Sequence, residues 1–355
     1  MDLEINGQKY TGFLTAKVTH SIDEICHSLQ FTATSDSIKN YPIKNNAECS
    51  VFIGAREIFN GYIDIIEPIY SADSHTINIQ GRSKASVLVD SSVWDSKTFK
   101  GPSSFLTIAQ RVLADIESDI IIIDQTGAIN TYKKDISAEP GESVFSFLER
   151  LAQKSQFMLV SDGSGNLNMI RTGLIRNTTL LLNQKNGDNN NILTGSASYD
   201  YSRRYSEYRV VGQASSTSNI SNEGQTKIIG TATDRDMNIT KKLEIVVDQD
   251  LTIDQAKKLA QWECNIRRAR SQKFNCTVYG HEKLIGLWDI NQITRVVDDY
   301  ANIDSDMLIK SVEYTESNDG TFTNIELVPP DAYSLEENRP IFSKQIDEIG
   351  NDLDW

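Results

Sequence analysis

The chain has 355 residues, which suggests two to four domains at roughly 100–200 residues each. Hydrophobic residues make up 39% and charged residues 24%, a composition that excludes disordered and fibrous proteins. The 49 acidic and 35 basic residues give a formal charge of −14, which argues against a protein whose main role is to bind nucleic acid. No apolar run approaches the ~20 residues of a membrane span, and the first residues lack a secretory signal pattern. We therefore expect a soluble protein without membrane insertion.

Residues 1–92 have the pattern of short β-strands. Apolar and polar residues alternate in runs at 29–33, 51–53, 63–65 and 77–79. Because side chains of a strand point to opposite faces with period two, each run can bury one face. Several such strands at short spacing, without helical periodicity between them, predict a first β-barrel over residues 1–92.

Residues 93–178 combine helical and strand patterns. After Gly-Pro-Ser at 101–103, a helix with a serine cap is predicted from the apolar stripe Phe105, Ile108, Val112 and Ile116. The aliphatic run 120–123 predicts a buried strand. A second helix is predicted after Gly141, with an apolar face at Val144, Phe147, Leu148 and Leu151. The segments 157–160 and 167–170, joined by Asp-Gly-Ser-Gly, predict a hairpin, so this range is a small α/β module.

Strand patterns return at 179–215 and 273–330, and these ranges together predict a second β-barrel. The range 216–272 between them is predicted as an insertion with a polar stretch and one helix. That helix begins with a capping box at Thr252 and Gln255, and its core stripe is predicted at Leu259, Trp262, Ile266 and Ala269. Arg267, Arg268 and Arg270 suit the negative pole of the helix dipole as solvated residues, and a DNA-backbone contact is the alternative.

Two segments near the ends of the β regions suggest an internal repeat. Each has a strand that ends in Tyr-Ser or Tyr-Thr, then an acidic turn, then a threonine and an alternating strand; they begin at Tyr70 and Tyr314. The alternative is that hairpins in general share this pattern.

The search for reactive sites predicts no catalytic, cofactor or metal site. The common nucleophile, phosphate-loop and zinc-protease motifs are absent from the sequence. Cys26 lies near His20 and His27 but lacks a fourth zinc ligand. The loop 163–168 has Asn168 where a dinucleotide loop needs glycine, which favours a plain turn. The acidic run 298–306 lacks the glycine and glutamate of a calcium loop, which favours a solvated loop over a cation site.

Pro329-Pro330 precedes a C-terminal tail, residues 331–355. Its apolar helical edge provides the candidate interface residues Ile341, Phe342, Ile346 and Ile349. The alternative is a frayed terminus.

Several segments occur in one order along nearly the whole chain. They are Gly-Tyr-Ile-Asp at 61–64, the run 77–90, Ser-Glu-Tyr-Arg-Val-Val-Gly at 206–212, Gly-Thr-Ala-Thr-Asp at 230–234, the helix from Thr252, Gly-Leu-Trp at 286–288, and Pro329-Pro330. In this order they resemble the baseplate hub proteins of Mu-like contractile-tailed phages and prophages, the 43-kilodalton class of tail proteins. Related hubs occur in the spikes of type VI secretion systems.

The resemblance implies a structural, non-enzymatic protein of the virion tail baseplate, assembled in the bacterial cytoplasm. It implies a mainly β chain with α+β parts and two similar β-barrels. Three chains would place six barrels around one axis as a pseudo-six-fold ring. Such a homotrimer would adapt a six-fold tail tube to a three-fold central spike and let DNA pass without specific binding. The implied partners are the tube and spike proteins, and no cofactor is implied.

The charge balance suggests how such a ring would treat DNA. A basic bore would hold phosphates through counterion release, so we expect an inner wall that is acidic or neutral rather than lined by Arg267, Arg268 and Arg270. The alternative is that the acidity is spread over the outside for solubility.

Two functions from other classes compete with the hub. A tail-associated cell-wall-degrading enzyme, a glycosidase or peptidase, requires a cleft with paired carboxylates, and no range of the chain is left to form one. A sugar-binding module requires exposed aromatic residues in one groove, whereas Trp94, Trp262, Trp288 and Trp355 are scattered along the sequence.

Overall fold

The structure, a computed structural model, is mainly β with smaller helical parts, as predicted. It describes residues 1–10, 12–34, 43–73, 75–94, 97–127, 131–155, 157–173, 175–214 and 227–333. Ile341, Phe342, Ile346 and Ile349 lie outside the described residues, as does most of the predicted polar stretch. The chain forms two compact units. Unit 1 contains residues 1–171, 278–290 and 310–325, and unit 2 contains 172–277, 291–309 and the residues from 326 onward.

The first strands are β1 (Asp2–Ile5), β2 (Gln8–Tyr10), β3 (Phe13–Ser21), β4 (Ser28–Thr34), β5 (Glu48–Ile53), β6 (Arg56–Tyr70), β7 (His75–Ser83), β8 (Thr98–Phe99), β9 (Ser103–Ser104), β10 (Ile122–Asp124), β11 (Thr131–Tyr132), β12 (Ile136–Ser137), β13 (Met158–Ser161) and β14 (Leu167–Ile170). The later strands are β15 (Ile175–Arg176), β16 (Leu181–Asn183), β17 (Ile192–Tyr199), β18 (Glu207–Ala214), β19 (Lys227–Thr233), β20 (Lys242–Leu251), β21 (Gln272–Tyr279), β22 (Gln292–Asp298), β23 (Ile303–Ser317) and β24 (Gly320–Val328).

The helices are α1 (Ser86–Asp90), α2 (Phe105–Asp115), α3 (Val144–Lys154) and α4 (Ile253–Ser271), followed by the short 3-10 helix Pro330–Tyr333. Over the described ranges, none of them combines the length and apolar character that crossing a bilayer requires.

The main sheet of unit 1 is antiparallel. Its strand order is β24-β23-β3-β4-β7-β6-β5-β1-β2, with β23 contributing its C-terminal half and β24 its residues 320–325. Inward residues such as Ile5, Val18 and Ile79 are almost fully buried, as the period-two pattern predicts. Among the described residues, the last strand of this order does not pair with the first strand. The sheet is therefore open, whereas a closed barrel was expected for residues 1–92.

One predicted alternation in β6 is wrong. The sequence places Ile63 and Ile65 on the same face, but Ile63 is buried and Ile65 is exposed. The pairing of β6 with β7 shifts register between these two residues. A β-bulge adds one residue to a strand and so moves the following side chains to the opposite face.

The predicted α/β module is present in unit 1, and both of its helices begin where the sequence indicates. The hydroxyl oxygens of Ser104 and Ser143 accept hydrogen bonds from backbone N–H groups in the first turns of α2 and α3. The hairpin β13–β14 is antiparallel, as predicted. The predicted buried strand 120–123 is only partly correct, because the strand is Ile122–Asp124 and Ile121 is exposed.

Unit 2 contains a three-stranded sheet with the order β19-β18-β20 and helix α4 against it. Its central strand β18 lies within the range 179–215 that the sequence analysis assigned to the second barrel. Elsewhere in unit 2, β15 and β16 run parallel to β22, and β22 is antiparallel to the first half of β23.

Helix α4 begins with the predicted capping box between Thr252 and Gln255. Its predicted core stripe is incomplete, because Leu259 and Trp262 remain half-exposed. The fully buried row is instead Ala256, Ala260 and Cys264, spaced four residues apart. These small side chains let the helix approach β19 so closely that a Cβ atom on Gly230 would lie 2.1 Å from the carbonyl carbon of Ala256. The contact therefore requires glycine at position 230.

We expect Gly230→Ala to destabilise unit 2 by about 1–3 kcal/mol, because the added methyl group forces α4 away from β19. Denaturant unfolding followed by circular dichroism measures the change. Thr231→Ala is the matched control, because Thr231 is the next residue of the same strand and is exposed. Equal stability of the two variants would contradict the close packing of α4 on β19.

Candidate functional site

Arg82 forms a paired charge cluster in the segment that carries the family resemblance. Its Nε atom donates to Asp64 at 2.6 Å, and its two terminal nitrogens donate to both carboxylate oxygens of Asp90 at 3.1 and 2.7 Å. These hydrogen bonds raise the pKa of Arg82, those to Asp90 most. Lys84 pairs nearby with Asp119 at 2.9 Å. The cluster joins β6, β7 and α1, and the pair of Lys84 with Asp119 extends it to the α/β module.

The loop 162–166 is a turn, as predicted, and it packs against β6. Asp162 Oδ1 accepts hydrogen bonds from the backbone of Ser164 and Asn166 at 3.0 and 2.9 Å. The Ser164 hydroxyl donates to Glu57 at 2.7 Å. A Cβ atom on Gly163 would lie 2.5 Å from the Glu57 carbonyl oxygen. The glycine in this loop permits close packing on a strand and does not form a nucleotide-binding turn.

A second polar cluster is buried in unit 1 around two stacked histidines. The rings of His20 and His27 lie 3.7 Å apart and nearly parallel. His20 Nε2 donates to the Ile58 carbonyl oxygen at 2.6 Å, and Nδ1 faces the Asp289 carboxylate at 3.9 Å. Asp289 also accepts from Arg56. Burial alone would raise the pKa of Asp289, but His20 and Arg56 lower it to about 2.

Tyr314 extends this cluster toward the end of the sheet. The rings of His20 and His281 both contact its ring edge-on, each with centroids 5.5 Å apart. The Tyr314 hydroxyl donates to the Trp288 carbonyl oxygen. His281 Nδ1 lies 3.2 Å from the Thr323 hydroxyl oxygen, and this hydroxyl donates to Gly280 at 2.7 Å. Because the Thr323 proton is already used, His281 Nδ1 must be the donor in their contact.

Arg204 and Asp234 form a buried ion pair in unit 2. Two guanidinium nitrogens of Arg204 donate to the two carboxylate oxygens of Asp234 at 2.6 and 3.0 Å, and both side chains are almost fully buried. Arg204 also reaches Asp236, and Arg268 lies 3.5 Å from Asp234. Burial alone would raise the pKa of Asp234, but the hydrogen bonds and charge of Arg204 lower it.

The prediction for the arginines of α4 is therefore wrong for one of them. Arg268 was expected to be a solvated residue at the helix end, but it is mostly buried and faces Asp234. Arg267 pairs with Glu263 at 3.3 Å within the helix, and Arg270 is exposed.

The acidic run 298–306 forms the turn between β22 and β23 and the start of β23. Asp304 pairs with Arg295 at 2.7 Å, and Asp306 pairs with Arg176 at 2.6 Å. Asp298 Oδ1 accepts from the backbone of Ala301 at 2.7 Å and thereby closes the turn. Throughout the part of the chain that the structure describes, no three His, Cys, Asp or Glu residues are grouped to hold a metal ion.

The far end of the β6–β7 hairpin, residues 64–70 and 75–78, forms an exposed ribbon in which β6 is the edge strand and β7 also pairs with β4. Among the described residues, the pairing of β6 with β5 ends near Ile63, so β7 alone flanks this part of β6. The ribbon exposes apolar side chains: Ile65 is 44%, Ile69 50% and Tyr70 79% exposed. Pro68, which has no N–H group, removes a donor from β6 and so disfavours uncontrolled strand pairing. The exposed ribbon therefore offers side-chain contacts to a partner.

Three protein-family models match this chain. The N-terminal model of the Mu phage baseplate assembly protein GpP-like family matches residues 1–83, and the fourth-domain model of Mu phage baseplate assembly protein GpP matches residues 252–336. The second-domain model of the gp44-like baseplate hub proteins matches residues 85–171. The chain is a homologue of the Mu-like baseplate hub proteins.

Relatives of this baseplate hub homologue cover almost its whole length. Baseplate hub protein gp44 of Escherichia phage Mu is 24% identical over 99% of this chain and 92% of the relative. The 43 kDa tail protein of prophage MuSo2 from Shewanella oneidensis has a TM-score of 0.81 at 26% identity, over 93% of this chain and 98% of its own. A tail protein from Neisseria meningitidis has a TM-score of 0.80 at 21% identity over the same shares.

A more distant structural match links this hub homologue to secretion spikes. An E. coli component of the type VI secretion system, itself described as similar to T4 tail proteins gp27 and gp5, has a TM-score of 0.53. At 11% identity over 92% of this chain and 76% of the other, the match shows a shared fold. The predicted resemblance to the Mu-like hub proteins is confirmed, and the fold is shared with this component of a type VI secretion system.

The buried clusters of this hub homologue were not predicted from the sequence. His20 and His27 were considered only as zinc ligands beside Cys26, and Arg204 and Asp289 were not singled out. The partners of these residues are far away along the chain, as in the pair Arg56 and Asp289, which are 233 residues apart. An arginine or histidine within an otherwise apolar stretch would have been the only local signal.

We expect Arg204→Met to lower the free energy of unfolding by about 3 kcal/mol, because Asp234 remains buried with only Arg268 beside it. The double variant Arg204→Met/Asp234→Leu should recover most of this loss, since it removes both charges. Arg209→Met is the control, because Arg209 and Glu244 form an exposed pair that contributes less than about 1 kcal/mol. Urea unfolding measures all three. If Arg204→Met and Arg209→Met lowered the free energy of unfolding equally, burial of the Arg204–Asp234 pair would not matter for stability.

Proposed function

We propose that this hub homologue is a structural protein of a phage-tail baseplate that assembles as a homotrimeric ring. The ring would adapt a six-fold tail tube to a three-fold central spike and let DNA pass without specific binding. The observation that carries the proposal is the family match over nearly the whole chain, in one order, to baseplate hub and tail proteins. The protein would be located in the virion tail after assembly in the host cytoplasm.

Two matching hairpins support the proposed pseudo-six-fold arrangement. The strand β6 has 15 residues and the following β7 has 9, and the strand β23 likewise has 15 residues and β24 has 9. We propose that the first barrel, residues 1–92, and the second, residues 179–215 with 273–330, are a duplicated pair. The α/β module 93–178, the insertion 216–272 and the tail 331–355 would be additions to this pair.

The exposed ribbon is the proposed contact between subunits. Exposed apolar side chains in water are unfavourable, and β6 is an open edge strand here, so a neighbouring chain that covers Ile65, Ile69 and Tyr70 would remove both. The tail residues Ile341, Phe342, Ile346 and Ile349 are proposed to pack on a neighbouring subunit or on the spike.

A non-enzymatic role is the proposed function class. The relatives that match are baseplate and tail proteins. The carboxylates singled out in the sequence pair with arginines, as Asp304 does with Arg295 and Asp306 with Arg176, and so serve the fold. The alternative of a cell-wall-degrading tail enzyme would require paired carboxylates without such partners.

We expect a molar mass near 120 kDa in solution, three times the 39.8 kDa of one chain, measured by light scattering after size exclusion. Ile69→Asp/Tyr70→Asp should reduce the trimer, because two charges cannot be buried at a subunit contact without partners. The matched control is Ile239→Asp/Val246→Asp, which changes two exposed apolar residues outside the ribbon. A chain ending at residue 333 tests the tail in the same way. A stable monomer at micromolar concentration would overturn the proposed trimer.

We also propose that the inner wall of the ring is acidic or neutral, since three chains of charge −14 repel the phosphate backbone. We expect no measurable binding of duplex DNA at low salt in a fluorescence anisotropy titration. Tight binding that weakens steeply with added salt would reveal a basic surface and contradict this part of the proposal.

A further inference from the structure

The segment 280–289 of unit 1 is attached at both ends by buried polar contacts. At one end, the Gly280 N–H donates to Thr321 at 2.8 Å, and His281 donates to Thr323. At the other end, Asp289 pairs with Arg56 of β6 and faces His20 of β3. The middle is a tight turn in which Lys283 N–H donates to the Gly286 carbonyl oxygen at 2.9 Å. Leu284 and Ile285 at its tip are 81% and 68% exposed.

Three of the chain's four histidines lie at these attachments: His20, His27 and His281. Neither ring nitrogen of His27 has a hydrogen-bond partner among the described residues. The Nε2 atom of His281 also has none there, while its Nδ1 atom donates to Thr323. A proton added to either ring would therefore place a charge in the interior without a free carboxylate beside it, which is unfavourable.

We propose that the segment 280–289 is an acid-released clasp, in which protonation of His27 and His281 detaches the segment while the rest of unit 1 stays folded. Within the segment, the His281 ring is linked to Trp288 through Tyr314. The Tyr314 ring contacts the His281 ring, and the Tyr314 hydroxyl donates to the Trp288 carbonyl oxygen. Trp288 N–H in turn donates to the His281 carbonyl oxygen at 3.4 Å. We expect movement of the His281 ring to weaken these contacts, which hold Trp288 in place.

The carboxylates around the two histidines are already paired with other groups. His27 is faced by His20 and Asp289, and Asp289 is engaged by Arg56 and His20; the backbone of Ser161 favours the protonated ring, but burial and His20 outweigh it. His281 is faced by the amino group of Met1 and by Glu316, and these two pair with each other. Lys283 adds a further positive charge beside Asp289.

These surroundings set the pH range of release. Burial, and then His20, hold the pKa of His27 well below its usual 6.5. Burial, and then the amino terminus, lower the pKa of His281 to about 4. A histidine whose pKa is lower in the folded state favours that state above the unfolded pKa, and this stability is lost as the pH falls. The attachments should therefore weaken between pH 6.5 and about 4. All groups involved lie in one unit of one chain, so the release does not depend on a trimer.

The full-length protein labelled with 5-fluorotryptophan provides the test. It has four tryptophans, and the ¹⁹F resonance of Trp288 is assigned by its loss in Trp288→Phe. We expect this resonance to move cooperatively as the pH falls from about 7.5 to about 4, while far-UV circular dichroism and the other resonances change little. His27→Phe keeps the stacked ring without the titration, and His281→Gln keeps a donor to Thr323. Each should lower the midpoint by about half a pH unit or more.

His75→Gln is the control. His75 is exposed and its ring stacks on Tyr70 of the ribbon, away from the segment 280–289, so this variant should leave the midpoint unchanged. A Trp288 resonance that stays fixed to pH 4 would overturn the clasp. Simultaneous change of all four resonances with loss of secondary structure would also overturn it, since this indicates global unfolding. If one of the two histidine variants fails to fold, the other variant is used for the test. A pH midpoint of its Trp288 resonance equal to that of the wild type would contradict the proposal.

Discussion

The fold depends on the pairing of charges that have been removed from water. The cost of burying an ion is several kcal/mol, and it is offset only when the partner is present in good geometry. Arg204 and Asp234 meet this condition, since both side chains are almost fully buried, and the partly buried Asp289 meets it with Arg56. Arg56 and Asp289 are 233 residues apart along the chain, and Arg204 and Asp234 are 30 apart, so each pair holds together two segments that are not neighbours in the sequence.

The need of buried polar groups for partners distinguishes the interior of the chain from the exposed ribbon. Inside unit 1, buried polar groups such as Tyr314 and His20 have specific acceptors. On the exposed ribbon, Ile65, Ile69 and Tyr70 have no such role in the single chain, and Pro68 removes a donor from the open strand. This contrast supports the proposal that the ribbon is covered by a neighbouring chain.

Local signals in the sequence predicted local structure well. The serine cap of α2 and the capping box at Thr252 were predicted because a capping hydrogen bond involves residues three positions apart. The small-residue face of α4 was missed because alanine contributes little to an apolar stripe, and its complement Gly230 lies on another element. The bulge after Ile63 was missed because only the pairing with β7 shows it. The histidine cluster and the Arg204 pair were missed because they depend on contacts between distant segments.

The central claim is that this chain forms a ring in which the ribbon lies between subunits. A cryo-electron microscopy map of the purified assembly tests it most directly, since it shows both the symmetry and the surroundings of residues 64–78. The account predicts a three-fold ring with approximate six-fold symmetry and with Ile69 and Tyr70 covered by a neighbouring chain. A map without a three-fold axis, or a ring in which the ribbon projects into solvent, would contradict it.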